Sequence, residues 1–354
     1  MRERLFELLR YALWGGKAEG AWNAHDFQEV LELAEKQTVA GLVFDVLKDV
    51  QIEEIKDKKP IFEAFGLSEN IKQQNGVLNN ELAWLVGETR RLGLDCLVVK
   101  GQTTGCLYPK PEVRQSGDID FLMKQPLEAR KVFTDVDIPE RLLEKDFSIE
   151  HKGTTLELHT RLVDFGRKKH QRLWNELTCK EWEKYHYVKV DGVKVRTLSP
   201  TMNAAYLFVH LFFHLIREGV SLRQFCDWAM LLHVCRDEID RQQLLGFMQQ
   251  MDMINAYKAF GCILVDELGL PEKEFPMVIT EKDRRWKRII LNDIFRGGNF
   301  GKQNHKAKSA FGFKMETLRM ASRNCLRYYR LAPSEMRMMI PKMMRINLRL
   351  MRGR

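Results

Sequence analysis

The sequence predicts an α/β (α+β) fold, in which a small mixed sheet is flanked along the chain by helical segments. Short apolar runs that end at Gly or at charged residues predict buried strands. Segments that alternate apolar and charged residues predict half-buried strands beside them. Apolar residues at helical spacing predict helices before and after this stretch. The chain has 354 residues, which is enough for two or three domains with sizeable cores.

Four regions follow one another in the sequence. Apolar residues at spacings of three and four over 27–36 and 40–48 predict helices near the N-terminus. A second helical region opens at Ser199-Pro200, because Ser suits an N-cap and Pro suits the first helical turn. The predicted regions are an N-terminal helical region 1–75, a central region 76–197, a helical domain 198–295 and a basic amphipathic tail 296–354.

The central region alternates helices and strands. Asp191-Gly192 suits a type I′ turn, and the residues on either side of it alternate as in a hairpin. Besides the Asp-x-Asp strand described next, the predicted elements are helices over 80–92 and 126–134, strands over 95–99, 147–151 and 155–160, and a hairpin over 188–195.

Two carboxylates stand two residues apart on a predicted strand. Asp118 and Asp120 alternate with Ile119 and Phe121, and side chains at i and i+2 of a strand point to the same face. Neighbouring carboxylates repel each other unless a positive charge lies between them. Mg²⁺ prefers carboxylate oxygens together with substrate phosphates, so this pair predicts a magnesium site. The alternative is a strand end with two solvated Asp residues.

A third carboxylate lies on a later strand. Glu157 and His159 share one face of the segment 154–160, and Leu156 and Leu158 share the other. Two-metal phosphoryl transfer uses carboxylates to hold ions roughly 3.5–4 Å apart. Asp118, Asp120 and Glu157 are therefore the predicted catalytic and metal-binding set, and two Mg²⁺ ions are the predicted cofactor.

Four further residues are predicted to contact a substrate. Lys100 follows a buried strand and precedes Gly101, which lets the backbone approach a ligand. Lys100 can bind phosphate, pair with Asp118 or lie at the surface. Arg114 suits phosphate because of its planar fork of donors. His159 can be a metal ligand, a base near an attacking hydroxyl or a core histidine.

Taken in order, these motifs resemble the polymerase-beta-like nucleotidyltransferase superfamily, and within it a bacterial family of largely uncharacterised nucleotidyltransferases. The superfamily usually has Gly or Ser after the first Gly, where this chain has Gln102. The motifs that carry the resemblance are Lys100-Gly101, Leu107-Tyr108-Pro109, Arg114, Asp118-Ile119-Asp120, Glu157-Leu158-His159, His210, His214 and the segment 222–232.

The resemblance implies the nucleotidyltransferase fold, with 76–197 as the catalytic domain. It also implies transfer of an NMP from an NTP to an acceptor that the sequence does not identify. The alternative is a non-catalytic nucleotide- or RNA-binding protein that retains the fold. Binding of NTP that depends on Mg²⁺ would favour the enzyme, and binding of RNA would favour the alternative.

Composition indicates a cytoplasmic protein. The seven Cys are scattered and include no Cys-x-x-Cys motif, which favours reduced thiols. Charges interrupt the apolar residues of 1–10, so this segment is predicted as an amphipathic helix and not as a signal peptide. The longest apolar stretch, 204–216, is shorter than the roughly 20 residues that span a bilayer, so no transmembrane segment is predicted.

The excess positive charge lies at the C-terminus. Residues 301–354 contain 14 Lys or Arg and two acids, Glu316 and Glu335, whereas the first 300 residues have a slight negative balance. The segment 333–352 interleaves Met, Ile and Leu with basic residues, and Pro341 is expected to break or kink a helix there. The tail is predicted to contact nucleic acid or an anionic membrane surface, or to dock on its own protein.

Overall fold

The computed structural model describes residues 1–18, 22–48, 50, 52–53, 59–139, 146–298 and 310–352. The α-helices of these residues are α1 (Arg2–Trp14), α2 (Ala24–Lys36), α3 (Ala40–Leu47), α4 (Lys59–Arg91), α5 (Gly101–Gly105), α6 (Ala129–Val132), α7 (Lys168–Glu181), α8 (Pro200–Arg217), α9 (Leu222–Val234), α10 (Arg241–Gln250), α11 (Ile254–Asp266), α12 (Glu281–Arg284), α13 (Lys287–Gly297), α14 (Ala310–Arg327) and α15 (Pro333–Arg352). The strands are β1 (Trp22–Asn23), β2 (Ile52–Glu53), β3 (Cys96–Val99), β4 (Ile119–Met123), β5 (Phe147–His151), β6 (Thr154–His159), β7 (His186–Val190) and β8 (Val193–Thr197).

A four-stranded mixed sheet has the order β3-β4-β6-β5. Strand β4 pairs antiparallel with β3 and parallel with β6, and β5 pairs antiparallel with β6. The predicted fold class, a small mixed sheet with helical additions, is confirmed. The described chain contains no helix that combines the length and the apolar character needed to cross a bilayer.

The alternation of side chains in β4 and β6 builds the core of this sheet. Ile119, Phe121, Leu156 and Leu158 are buried in one apolar cluster, to which α4 also contributes. Because successive side chains of a strand point to opposite faces, Asp120, Glu157 and His159 lie on the other face. Burial of the apolar face therefore fixes which face carries the charged residues.

Some elements differ from their predicted length. The helix predicted over 80–92 is the end of α4, a helix of 33 residues, because buried residues at helical spacing begin at Ala64. The helix predicted over 126–134 is a 3-10 turn followed by the short α6. The hairpin is confirmed as β7 and β8, and Asp191 and Gly192 have the positive φ values that a type I′ turn requires.

The chain forms two compact units. Unit 1 comprises residues 1–35, 39–162 and 177–202 and contains the mixed sheet. Unit 2 comprises residues 36–38, 163–176 and 203–354 and is helical. The division of the sequence into four regions remains a prediction.

Part of the basic tail belongs to the core of unit 2. Ala321 and Tyr328 are buried, and so are Met336 and Met339 in α15. Docking on its own protein, one of the three predicted roles of the tail, therefore holds for this part. The expected break at Pro341 does not occur, since α15 continues through it to Arg352, and the alternative of a kink there stays a prediction.

Candidate metal centre

Strand register brings the charged residues of unit 1 together. Val99, the last residue of β3, lies opposite Asp120 on β4, so Lys100 follows directly beside that carboxylate. On the other side of β4, Asp120 lies opposite Glu157 and Leu122 lies opposite His159. Like charges that face each other across two strands destabilise a sheet. This pairing therefore needs positive charge close by.

Two cationic side chains meet the buried Asp120 carboxylate. Lys100 Nζ lies 2.8 Å from Asp120 Oδ1. His159 Nε2 hydrogen bonds to the same oxygen at 2.6 Å. Burial opposes ionisation of Asp120, but these two partners outweigh it and hold the pKa of Asp120 well below its usual range. Asp120 is thus a fixed negative charge at the centre of the site.

His159 lies between two carboxylates. Its Nε2 contacts Asp120, and its Nδ1 lies 2.8 Å from Oδ1 of Asp146. Burial disfavours the charged imidazole, but the two carboxylates raise the pKa of His159 to about 9. The register also explains the contact with Asp146. Phe147 lies opposite Leu158 in the antiparallel pair of β5 and β6, which puts the preceding residue beside His159.

Glu157 has a weaker counter-charge than Asp120, since Nε2 of His159 lies 3.7 Å from its Oε2. Its pKa is raised by partial burial first, and then by the negative charges of Asp120 and Asp118. Asp118 precedes β4 and is half-buried. A cation would relieve this crowding of negative charge, so the electrostatics of the site fit a metal ion.

Asp120, Glu157 and His159 lie close enough together to share a metal ion. Each offers one ligand atom, and these atoms lie within 4.8 Å of one another. In the part of the chain that the structure describes, this is the one group of at least three His, Cys, Asp or Glu side chains close enough to share an ion. Asp118 is not a member of the group, so its role as a ligand stays a prediction.

The backbone beside the carboxylates is strained. Lys100 has φ 54° and ψ −149°, a region that residues other than Gly rarely adopt. Gly101 has φ 44°, and a Cβ there would lie 3.3 Å from the carbonyl oxygen of Asp118. This turn therefore favours Gly at position 101, and the ion pair with Asp120 helps to hold the strained Lys100 in place.

Arg114 is close to the site in sequence but buried in the structure. It is 4% exposed, and its guanidinium donates to Oγ of Ser116 at 2.7 Å. The side-chain amide of Asn75 on α4 donates to the carbonyl oxygens of Glu112 and Arg114, both at 2.8 Å. The predicted contact of Arg114 with phosphate is not tested by this arrangement and remains a prediction.

The sequence did not reveal several supporting residues. Asp146 follows no recognisable motif, and only the register of β5 places it beside His159. In the sequence, Asn75 and Asn79 look like ordinary surface amides, but both lie on the long helix α4 beside the site. Asn79 nevertheless accepts a hydrogen bond of 2.6 Å from Gln102, the residue that replaces the usual Gly or Ser. Pairing of Lys100 with Asp120 was also not foreseen.

Comparisons with known proteins place the chain in a family. Among solved structures, the chain is similar to the crystal structure of an antigenic nucleotidyltransferase-like protein from Paracoccidioides brasiliensis. The identity is 12% and the TM-score 0.30, with 59% of this chain and 97% of that chain covered, and a likeness at this level carries no argument. No curated protein matches the chain. Residues 23–265, more than half of the chain, match the model of a family described as uncharacterised nucleotidyltransferases, and the chain belongs to that family.

Proposed function

We propose that this protein transfers a nucleoside monophosphate from an NTP to an acceptor in a reaction that depends on Mg²⁺. The observation that carries the proposal is the direct pairing of Asp120 with Glu157 across β4 and β6, with Nε2 of His159 beside both. A sheet that places two carboxylates opposite each other, and leaves one of them with a raised pKa, is suited to bind a cation.

The carboxylates of Asp118, Asp120 and Glu157 would hold the metal, with two Mg²⁺ ions as the expected number. When bound, magnesium supplies charge neutralisation for the triphosphate and lowers the pKa of the attacking oxygen. The cluster of Asp120, Glu157 and His159 makes His159 a further candidate ligand.

The other residues bind and orient the nucleotide. Gly101 gives the backbone the freedom to approach the triphosphate. The ammonium of Lys100, next to the carboxylates, would neutralise a phosphate, and Arg114 is the second candidate for this role. An acceptor oxygen attacks the α-phosphorus, the bond from that phosphorus to the bridging oxygen breaks, and pyrophosphate leaves. Most of the rate enhancement would come from orientation and charge stabilisation.

Calorimetry with a non-hydrolysable NTP tests the proposal. We expect binding by the wild type with Mg²⁺, and a loss of affinity of at least about 100-fold in Glu157→Gln, since even residues that only support metal ligands contribute 10–100-fold. Glu150→Gln is the matched control, because Glu150 is an exposed carboxylate on the neighbouring strand β5. Equal NTP affinity in all three proteins would refute the assignment of the site. Release of pyrophosphate from a mixture of NTPs would then test catalysis.

One observation favours a second function. Lys100 and His159 both supply a counter-charge to Asp120. A non-catalytic nucleotide- or RNA-binding protein would use the same cations for phosphate. It would bind NTP or RNA equally well in EDTA and in Mg²⁺ and would release no pyrophosphate, which separates it from the enzyme.

A further inference from the structure

An exposed basic surface lies at the junction of α14 and α15 in unit 2. Arg319, Arg323 and Leu326 are exposed and are spaced by four and three residues, so they share one face of α14. The turn after the helix adds two further exposed residues, Tyr329 and Arg330. Together with Arg337 of α15, these residues form what we call the arginine surface.

Within the described part of the chain, Arg319, Arg323 and Arg330 have no acidic partner. Among the described residues, no carboxylate oxygen lies within 4.0 Å of Arg319, Arg323 or Arg330. The neighbouring Arg327, by contrast, pairs with Asp293. Arg337 donates to the hydroxyl of Tyr329 at 2.8 Å, which joins the turn to the first part of α15. The arginine surface therefore presents positive charge that no described carboxylate neutralises.

One of the two acids in the tail is withdrawn from the surface. Glu335 is 0% exposed, and its carboxylate accepts hydrogen bonds from the backbone of Gly166 at 2.7 Å and from Nδ1 of His170 at 2.6 Å. The other acid, Glu316, lies one turn before Arg319 at one end of the surface. Glu316 is thus the one acid of 301–354 that is not withdrawn into the core, while Asp293 and Asp164 from elsewhere in unit 2 pair with Arg327 and Lys342 of the tail.

Apolar side chains accompany these cations. Leu326 is 75% exposed and Met338 is 41% exposed. Helix α15 then continues to Arg352, and the sequence of its last turns interleaves Met, Ile and Leu with basic residues. Hydrogen bonds of Glu335 hold the start of α15 in unit 2. The backbone of 344–352 adds about 14 Å to the length of this helix, at 1.5 Å per residue.

We propose that the arginine surface docks on an anionic lipid surface. Cations without acidic partners complement lipid phosphates, and exposed apolar side chains gain free energy when they enter the boundary between headgroups and acyl chains. Nucleic acid would also attract the arginines, but its phosphates would leave Leu326 in water. The apolar component is therefore the reason that lipid fits this surface better. The inference is independent of the proposed catalytic function.

Vesicle flotation with the full-length protein tests the charge component. We expect binding to phosphatidylcholine vesicles that contain about 30% phosphatidylserine, none to pure phosphatidylcholine, and weaker binding as the salt concentration rises. The triple variant Arg319→Gln/Arg323→Gln/Arg330→Gln should bind roughly 100-fold more weakly, at about fivefold for each charge removed. The matched control Lys273→Gln/Lys282→Gln/Arg288→Gln removes three exposed cations of the same unit and should bind as the wild type does.

The apolar component separates lipid from nucleic acid. Leu326→Ser should weaken vesicle binding, whereas Val278→Ser, at a comparably exposed apolar residue of unit 2, should not. The proposal is overturned if the wild type does not bind anionic vesicles, or if the triple variant and its control bind equally. It is also overturned if the protein binds RNA and not vesicles, and if Leu326→Ser leaves the affinity for RNA unchanged.

Discussion

Glu157→Gln should make the metal-free protein more stable while it removes metal binding. In the folded protein Glu157 lies opposite Asp120, and its pKa is raised by burial and by the charges of Asp120 and Asp118. Like charges that face each other across two strands cost roughly 0.2–1 kcal/mol. Because 1 kcal/mol corresponds to about 2–4 °C for a domain of 150–250 residues, we expect the Tm to rise by roughly 1–3 °C without Mg²⁺.

Added Mg²⁺ should reverse the order of stability. A ligand at 100 times its Kd stabilises the protein that binds it by about 2.7 kcal/mol. Wild type should therefore gain several degrees in Tm with Mg²⁺ and become more stable than Glu157→Gln, which should gain little. Differential scanning fluorimetry with EDTA and with Mg²⁺ measures both effects, and Glu150→Gln should follow the wild type in each condition.

The pH dependence provides a second check of the same reasoning. A carboxyl group whose pKa is raised in the folded state binds its proton more tightly there than in the unfolded chain. Its destabilising effect is therefore present above the raised pKa and is lost as the pH falls below the ordinary value of 4.5. The Tm difference between Glu157→Gln and the wild type should be present at pH 7 and should vanish below that value. A variant that is less stable than the wild type in EDTA at pH 7, or that keeps the full response to Mg²⁺, would refute the reasoning.

Three further predictions concern the turn, the tail and the thiols. Gly101→Ala should lower the free energy of unfolding by about 1–2 kcal/mol, because φ is +44° and a Cβ would press on a carbonyl oxygen. Gly87→Ala, in open space on α4, should raise it by roughly 0.5–1 kcal/mol. Chemical unfolding measures both, and equal effects would contradict the positive φ of Gly101. Glu335→Ala should destabilise unit 2 by roughly 3–5 kcal/mol in urea unfolding, since it leaves buried donors without their acceptor, and an unchanged midpoint would contradict docking of α15. Cys179 is exposed and should react quickly with a thiol reagent. Burial raises the pKa of Cys262 to about 12 and should keep that thiol unreactive until the protein unfolds. Mass spectrometry of labelled peptides measures both rates, and equal rates would contradict the burial of Cys262.

The sequence predicted the elements whose pattern is local. Alternation of apolar and charged residues located β5 and β6, and Asp191-Gly192 located the hairpin of β7 and β8. The same alternation placed Asp120 and Glu157 on a charged face, because a strand with one buried face leaves its other face to polar side chains. The length of α4 was underestimated, because the prediction covered only 80–92 although buried residues at helical spacing begin at Ala64.

By itself, then, the sequence determined the fold class, the charged strands and the residues that were candidates for a metal site. Only the tertiary structure decided which of these groups meet. The antiparallel register of β3 and β4 pairs Lys100 with Asp120, and the register of β5 and β6 brings Asp146 to His159. In unit 2, Glu335 is buried in the core, where it accepts a hydrogen bond from Gly166, and does not lie on the basic surface. Such contacts join residues that are far apart in the chain, and their choice depends on the packing of complete elements, which no local pattern of residues encodes.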